Sequence, residues 1–209
     1  ENTNMSPSPL AHAALEAAES RRSIRSYSDA PVTEAELAQL IDAAGRAPSA
    51  YNLQPWRGVA ERDQDLKTQL QAAAYGQPQV GAAPVVLVLY TDTIDALNTV
   101  EETFSPTLPP DKAAGTKAHL LGTLGAQGEA DREAWGAGQS YIALGYLLLV
   151  AESLGLGTSP MLGFDSERVK SLLGLPAYAR IPALVALGHP AEEGFESPRH
   201  AVERVLSVR

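Results

Sequence analysis

Between Tyr141 and Ala151 the chain reads YIALGYLLLVA, a run with no charged residue and with apolar side chains on every face of a helix. Apolar character all round marks a helix enclosed by protein, not one lying on a surface. A strand is the competing reading of such a run. The length from Gly138 to Leu154, the Ala and Leu content and the lack of β-branched clustering favour helix. A membrane span needs about 20 apolar residues, and this run is shorter. Gly155-Leu-Gly157 supplies a C-terminal stop, and a tight segment, Thr158-Ser-Pro-Met-Leu-Gly163, follows at once. A rigid buried rod therefore delivers a Pro/Gly-shaped stretch of backbone to one place. A core helix with its turn explains the same pattern without any site.

A chain of 209 residues with 44% hydrophobic and 20% charged side chains is expected to form one globular domain. It has no cysteine, which excludes disulfides, thiolate nucleophiles, iron–sulfur clusters and Cys-type zinc sites. The formal charge of -9 argues against nucleic acid or an anionic membrane surface as partner. The opening residues ENTNMSPSPL lack the basic and apolar regions of a signal peptide, so a cytoplasmic location is expected. In so acidic a chain the basic cluster Arg21-Arg-Ser-Ile-Arg25 stands out.

Helix and strand patterns interleave along the chain, giving an α/β or α+β class. A first helix is expected over Pro7–Ser20, with Leu10, Ala14, Leu15 and Ala18 at helical spacing. Thr33-Glu-Ala-Glu36 reads as a capping box opening a helix that carries Leu37, Leu40, Ile41 and Ala44 and ends near Gly45. Prolines at 48 and 55 make 46–56 a structured loop. A short strand over Arg57–Ala60, a helix over Gln64–Tyr75 and a turn over Gly76–Gln79 follow. Pro84–Tyr90 and Ile181–Gly188 are continuous apolar strands, expected to be buried on both faces. Thr91–Gly128, with Pro106, Pro109 and Pro110, reads as the least organised part, a mobile excursion or lid. Ser166–Leu173 is a short helix capped by Asp165 or Ser166 and stopped by Gly174. Arg199–Val208 alternates like an edge strand.

Several familiar sites are missing. Gly122, Gly125 and Gly128 match neither a dinucleotide fingerprint nor a Walker A loop. Ser140 is not in a nucleophile elbow. The four histidines lie far apart, so no metal is expected. Three polar segments remain. Arg21, Arg22, Ser23 and Arg25, with Arg199 a candidate fourth cation, can hold a phosphate or another anion; a solvated charged turn is the plain alternative. Asn52, Gln54, Gln77 and Gln79 carry amides able to read both donor and acceptor edges of a heterocycle. Tyr51 and Trp56 can stack on such a ring or simply pack. The Pro160–Gly163 backbone can offer N–H groups. Together these point to a mononucleotide whose ring does the chemistry, without saying which nucleotide.

RRSIRSY, RAPSAYNLQPW, APVVLVLY, LGLGTSPMLGFD and PALVALGHPAEEG occur in the order and spacing of the flavin-dependent nitroreductases. Over Arg21–Arg209 the chain resembles that family, most nearly its bacterial NADH oxidase branch. The resemblance implies an α+β fold with a mixed central sheet flanked by helices, in an intertwined homodimer with flavin sites at the interface. It implies FMN, with FAD as the second choice, and NAD(P)H as co-substrate. Matched by position, Arg21, Arg22, Ser23 and Arg25 form the N-terminal flavin motif, with Arg22 and Ser23 on phosphate and Arg25 at the ring's pyrimidine edge. Pro48, Ser49, Ala50 and Asn52 would approach the flavin from the other subunit. Gln77 would read the ring's polar edge, with Gln79 the less certain choice. Pro160, Met161, Leu162 and Gly163 would pass over the N5 side, and Arg199 would meet phosphate. Tyr51 and Trp56 would touch substrate, and no side chain need act as acid, base or nucleophile. Leu162 stands where some members have Glu, and Tyr51 where relatives carry Trp, which bears on substrate choice. The implied reaction is ping-pong hydride transfer from NAD(P)H through the flavin to oxygen, nitroaromatics, quinones or free flavin. A specialised reaction of the superfamily, such as reductive dehalogenation or flavin fragmentation, and a non-catalytic flavin sensor or store remain as alternatives.

Overall fold

The computed structural model describes residues 9–209, with side chains described from residue 13. Strands β1 (Trp56–Glu61), β2 (Val85–Thr91), β3 (Gly157–Met161) and β4 (Ala183–Gly188) form one sheet in the order β1-β2-β4-β3, every neighbouring pair antiparallel. The sheet is extended by one isolated parallel bridge, Ser23 to Thr158, on its outer β3 edge. The two apolar strands occupy the centre. Alternation sends Leu87, Leu89, Val185 and Leu187 to one face and Val86, Val88, Leu184 and Ala186 to the other. Both faces are covered, as continuous apolar strands require.

Helix α1 (Pro9–Ser20) and α2 (Glu34–Gly45) lie on the same side as α7 (Glu129–Ser153). The expected start of α1 at Pro7 and the expected Leu10 contact lie outside the described residues. Thr33 closes the capping box on Glu36, as its spacing predicts. Below the sheet are α3 (Gln64–Ala73), α4 (Pro78–Ala82) and α8 (Ser166–Leu173), the last capped by Asp165 and stopped by Gly174. Where the sequence suggested only a turn at Gly76–Gln79, Pro78 starts α4, its fixed φ suiting a first helical turn.

At 25 residues, α7 is about 37 Å long. Its length and composition meet those of a membrane-crossing helix, but its first turns carry Glu129, Asp131, Arg132 and Glu133 and its apolar face packs on the sheet. It is not enclosed on all sides, contrary to expectation. Gly136, Ser140, Ala143, Leu144, Leu147 and Ala151 are buried at helical spacing, while Tyr141, Ile142, Tyr146 and Leu149 are 39–47% exposed on the opposite side. The chain alone thus covers half of an apolar helix.

Three further expectations are corrected. The 91–128 segment is helical: α5 (Thr93–Asn98), a 3-10 turn (Val100–Thr103) and α6 (Pro110–Thr123) enclose a small core of Leu53, Ala96, Leu97, Val100, Leu120 and Leu124. Pro109 and Pro110 begin α6 instead of breaking it, while Pro106 lies in the turn before it. The 158–163 segment is not a tight turn but mostly β3, where Pro160 is tolerated because the strand is at the edge. The alternating C-terminal residues form no strand. They contain α9 (Val202–Val205), with Val202, Val205, Leu206 and Val208 all more than half exposed.

Candidate functional site

Segment 21–25 is extended beside β3, so its side chains alternate. Ile24 N–H donates to the Thr158 carbonyl at 2.9 Å. A Cβ on Gly157 would sit 2.9–3.0 Å from the root of the Ile24 side chain, so only glycine permits this approach. Arg22 shares the Ile24 face: its Cβ lies against Gly194. Its Nη1 donates to the carbonyls of Glu19, Ser20 and Arg21 at 2.5, 3.0 and 3.0 Å, closing the C-terminus of α1. The cleft it borders also holds Glu152, Glu192 and Glu193, a poor setting for phosphate. Arg21, Ser23 and Arg25 face the other way. Arg21 Nη1 is buried and, among the described residues, has no hydrogen-bond partner. Arg25 is exposed, its Nη1 donating to the Ser23 carbonyl at 3.3 Å. The Arg25 and Ser26 amides both donate to Glu192 Oε1, and Tyr27 donates to the Ile24 carbonyl, which pins the segment. Burial, more than the neighbouring Glu192 charge, raises the Tyr27 pKa.

The far end of β3 meets a second expected group. Gln77 Nε2 donates to the Gly163 carbonyl at 2.8 Å, and Gln79 Nε2 donates to Gln77 Oε1 and to Met161 Sδ. Gln79 is buried, whereas Gln77 is only partly covered and Leu162 is 68% exposed. Arg21, Ser23, Arg25, Gln77 and the Pro160–Gly163 backbone are therefore strung along one sheet edge. Cations lie beside the Thr158 end, and an amide and an open strand terminus lie at the Met161 end.

The 46–56 loop does not join them. Trp56 starts β1, the opposite edge strand, three strand spacings or about 14 Å across the sheet from β3. There it lines an apolar cleft of about 310 Å3 with Leu37, Ile41, Leu87 and Leu147. The loop is held by its own Ser49 and by two groups that the sequence did not single out, Gln139 and Thr103. Ala50 N–H donates to Gln139 Oε1, Gln54 N–H to Ser49 Oγ, and Asn52 Nδ2 to the Thr103 carbonyl. Tyr51 is exposed, with its ring 6.0 Å from that of His119. Pro48 is exposed as well. Arg199 is also exposed and bonds locally, Nη1 donating to the carbonyls of Ser197 and Pro198. One chain thus carries its candidate residues as two candidate half-sites on opposite sheet edges.

Known proteins resemble this chain in sequence and in fold. A sequence profile of the nitroreductase family matches residues 18–189. The chain is 53% identical over 193 residues to an NADH dehydrogenase of Thermus thermophilus, covering 92% of this chain and 94% of that protein. It is 33% identical over 186 residues to the FMN reductase [NAD(P)H] of Bacillus subtilis, covering 88% and 68%. In fold it is similar to a nitroreductase candidate from Exiguobacterium sibiricum solved in complex with FMN, with a TM-score of 0.85, 21% identity and 99% and 100% of the two chains covered. With its profile match spanning the sheet, the cation segment and the amide at the β3 edge, the chain belongs to the nitroreductase family.

Proposed function

We propose that the chain is an FMN-dependent NAD(P)H oxidoreductase of the NADH oxidase and nitroreductase type, acting as a cytoplasmic homodimer. The observation that carries this reading is Arg21 Nη1. A buried guanidinium nitrogen without an acceptor costs about 1–3 kcal/mol, and an anionic group at the β3 edge removes that cost. The residue types fit FMN. Arg21 and Ser23 would take the phosphate, Arg25 the pyrimidine edge, Gln77 a polar ring edge, and the Pro160–Gly163 backbone the ring's other side. Arg22 is left to close α1. The names of the relatives, NADH dehydrogenase and FMN reductase, support the same donor and cofactor.

When bound, FMN supplies the ring that accepts and returns a hydride. The protein would bind and orient it: Arg25 at the pyrimidine edge would favour negative charge there, and the Pro160–Gly163 backbone would help to position the ring. NAD(P)H would be the electron donor, and oxygen, a quinone, a nitroaromatic or free flavin the acceptor. Dimerisation is supported by the uncovered apolar side of α7, the exposed apolar tail and the separation of the two half-sites, which a second copy would bring together. The test is purified protein loaded with FMN. NADH should bleach the flavin and 1,4-benzoquinone restore it over many cycles, with light scattering giving a dimer at micromolar concentration. A single stoichiometric bleaching without turnover would make it a flavin store instead, and a flavin-loaded monomer would remove the shared site.

A further inference from the structure

Tyr51, Asn52 and Gln54 all have φ between 47° and 56°, and none is glycine. Left-handed backbone at ordinary residues costs free energy and persists only where the surroundings over-determine it. What over-determines it here is a set of three consecutive carbonyls. Arg57 Nη1 donates to the Gln54 carbonyl at 3.0 Å and to the Trp56 carbonyl at 2.8 Å. Between them, the Pro55 carbonyl accepts from Asp92 N–H at 2.8 Å. The guanidinium is aimed by Asp95, whose Oδ2 accepts from both Nε and Nη2. Asp95 is set in turn by the α5 cap, Asp92 Oδ1 accepting from Asp95 N–H and from the Tyr178 hydroxyl. Leu53, between the strained residues, is buried in the α5–α6 core.

We propose that Arg57 is a positioning residue that fixes the Ser49–Trp56 loop and, through it, the approach of substrate to the flavin of the other subunit; this rests on the loop assignment of the proposed function. The pair is partly exposed, and such pairs contribute little to stability, so its role lies in geometry. Nε, Nη1 and Nη2 are all engaged in fixed directions, which a lysine cannot reproduce. The loop's shape is thereby tied to α5 and to the helical 91–128 segment.

The test compares Arg57→Lys, Arg57→Gln and Asp95→Asn with the unaltered FMN-loaded protein. Hydrogen exchange at the Gln54 amide, bonded to Ser49 Oγ, should be about tenfold faster in both Arg57 variants, equivalent to about 1.4 kcal/mol of opening. With NADH and 1,4-benzoquinone, kcat/KM for the quinone should fall about tenfold while Tm moves by only a few degrees. Unchanged exchange in a folded Arg57 variant overturns the proposal. So does a merely stabilising pair, which would lower Tm in Asp95→Asn and Arg57→Lys alike and leave kcat and KM untouched. If exchange rises but FMN affinity and both half-reactions stay the same, the loop does not reach the flavin. That outcome sinks the clamp's proposed effect on substrate approach and leaves flavin binding at the β3 edge standing.

Discussion

Two adjacent arginines, Arg21 and Arg22, look interchangeable in sequence and should fail in opposite ways. Arg21→Ala deletes a half-buried side chain whose enclosed Nη1 has no partner among the described residues. In flavin-free protein the lost packing and the relieved burial cost oppose each other, so stability should change by no more than about 1 kcal/mol. The cost should appear on binding. A charge-assisted hydrogen bond is worth about 1.5–3 kcal/mol, and tenfold in affinity is about 1.4 kcal/mol, so the FMN Kd should rise about 10- to 100-fold. Arg22→Ala removes a cation bonded to the last carbonyls of α1. Cations near a helix C-terminus contribute about 0.3–1 kcal/mol, and partial exposure puts this one at the low end. Tm should fall by about 1–3 °C, with the FMN Kd within about threefold of the original. The assay is a fluorescence titration of FMN into each flavin-free variant, alongside thermal melts with and without flavin. A normal Kd in Arg21→Ala, or a larger loss of affinity in Arg22→Ala, would show that the alternation of segment 21–25 has been assigned to the wrong faces.

Gly157→Ala should destabilise the protein by about 1–3 kcal/mol, because the new methyl meets the β-branched root of Ile24. It should also weaken FMN by lifting Ser23 from Thr158; denaturant melts and flavin titration both read this. Gly163→Ala is the contrasting case, since its Cβ would meet nothing nearer than Gln77 Nε2 at 3.7 Å, and its melting temperature should be unchanged. Burial first, then the hydrogen bond to Asp92, raises the Tyr178 pKa to about 12, above the ordinary value of 10.0. Its contribution to stability is therefore full below pH 10 and lost as pH rises toward 12. Tyr178→Phe should flatten the alkaline fall of Tm, and an unchanged slope would deny that linkage.

Local signals were legible because their physics is local. The Thr33–Glu36 capping box, the Asp165 cap and the Gly174 stop each involve residues within a few positions of one another, and each formed as spacing required. Prolines misled where position outweighs type: Pro109 and Pro110 open α6, and Pro160 sits on an edge strand. The strained loop was invisible because left-handed φ at Tyr51, Asn52 and Gln54 is imposed from outside, by Arg57, Asp92 and Leu53, and leaves no glycine signature. For α7 the apolar run was legible, but not which of its faces this chain buries. Composition records that a face needs cover, not whose side chains cover it, so Tyr141, Ile142, Tyr146 and Leu149 could be told from Leu144 and Leu147 only in three dimensions. The same limit divides the basic motif. RRSIR offers a cluster of cations by charge, yet which way each side chain faces follows from extended backbone laid against Gly157. A period of two sends Arg21, Ser23 and Arg25 to one side and turns Arg22 back onto α1.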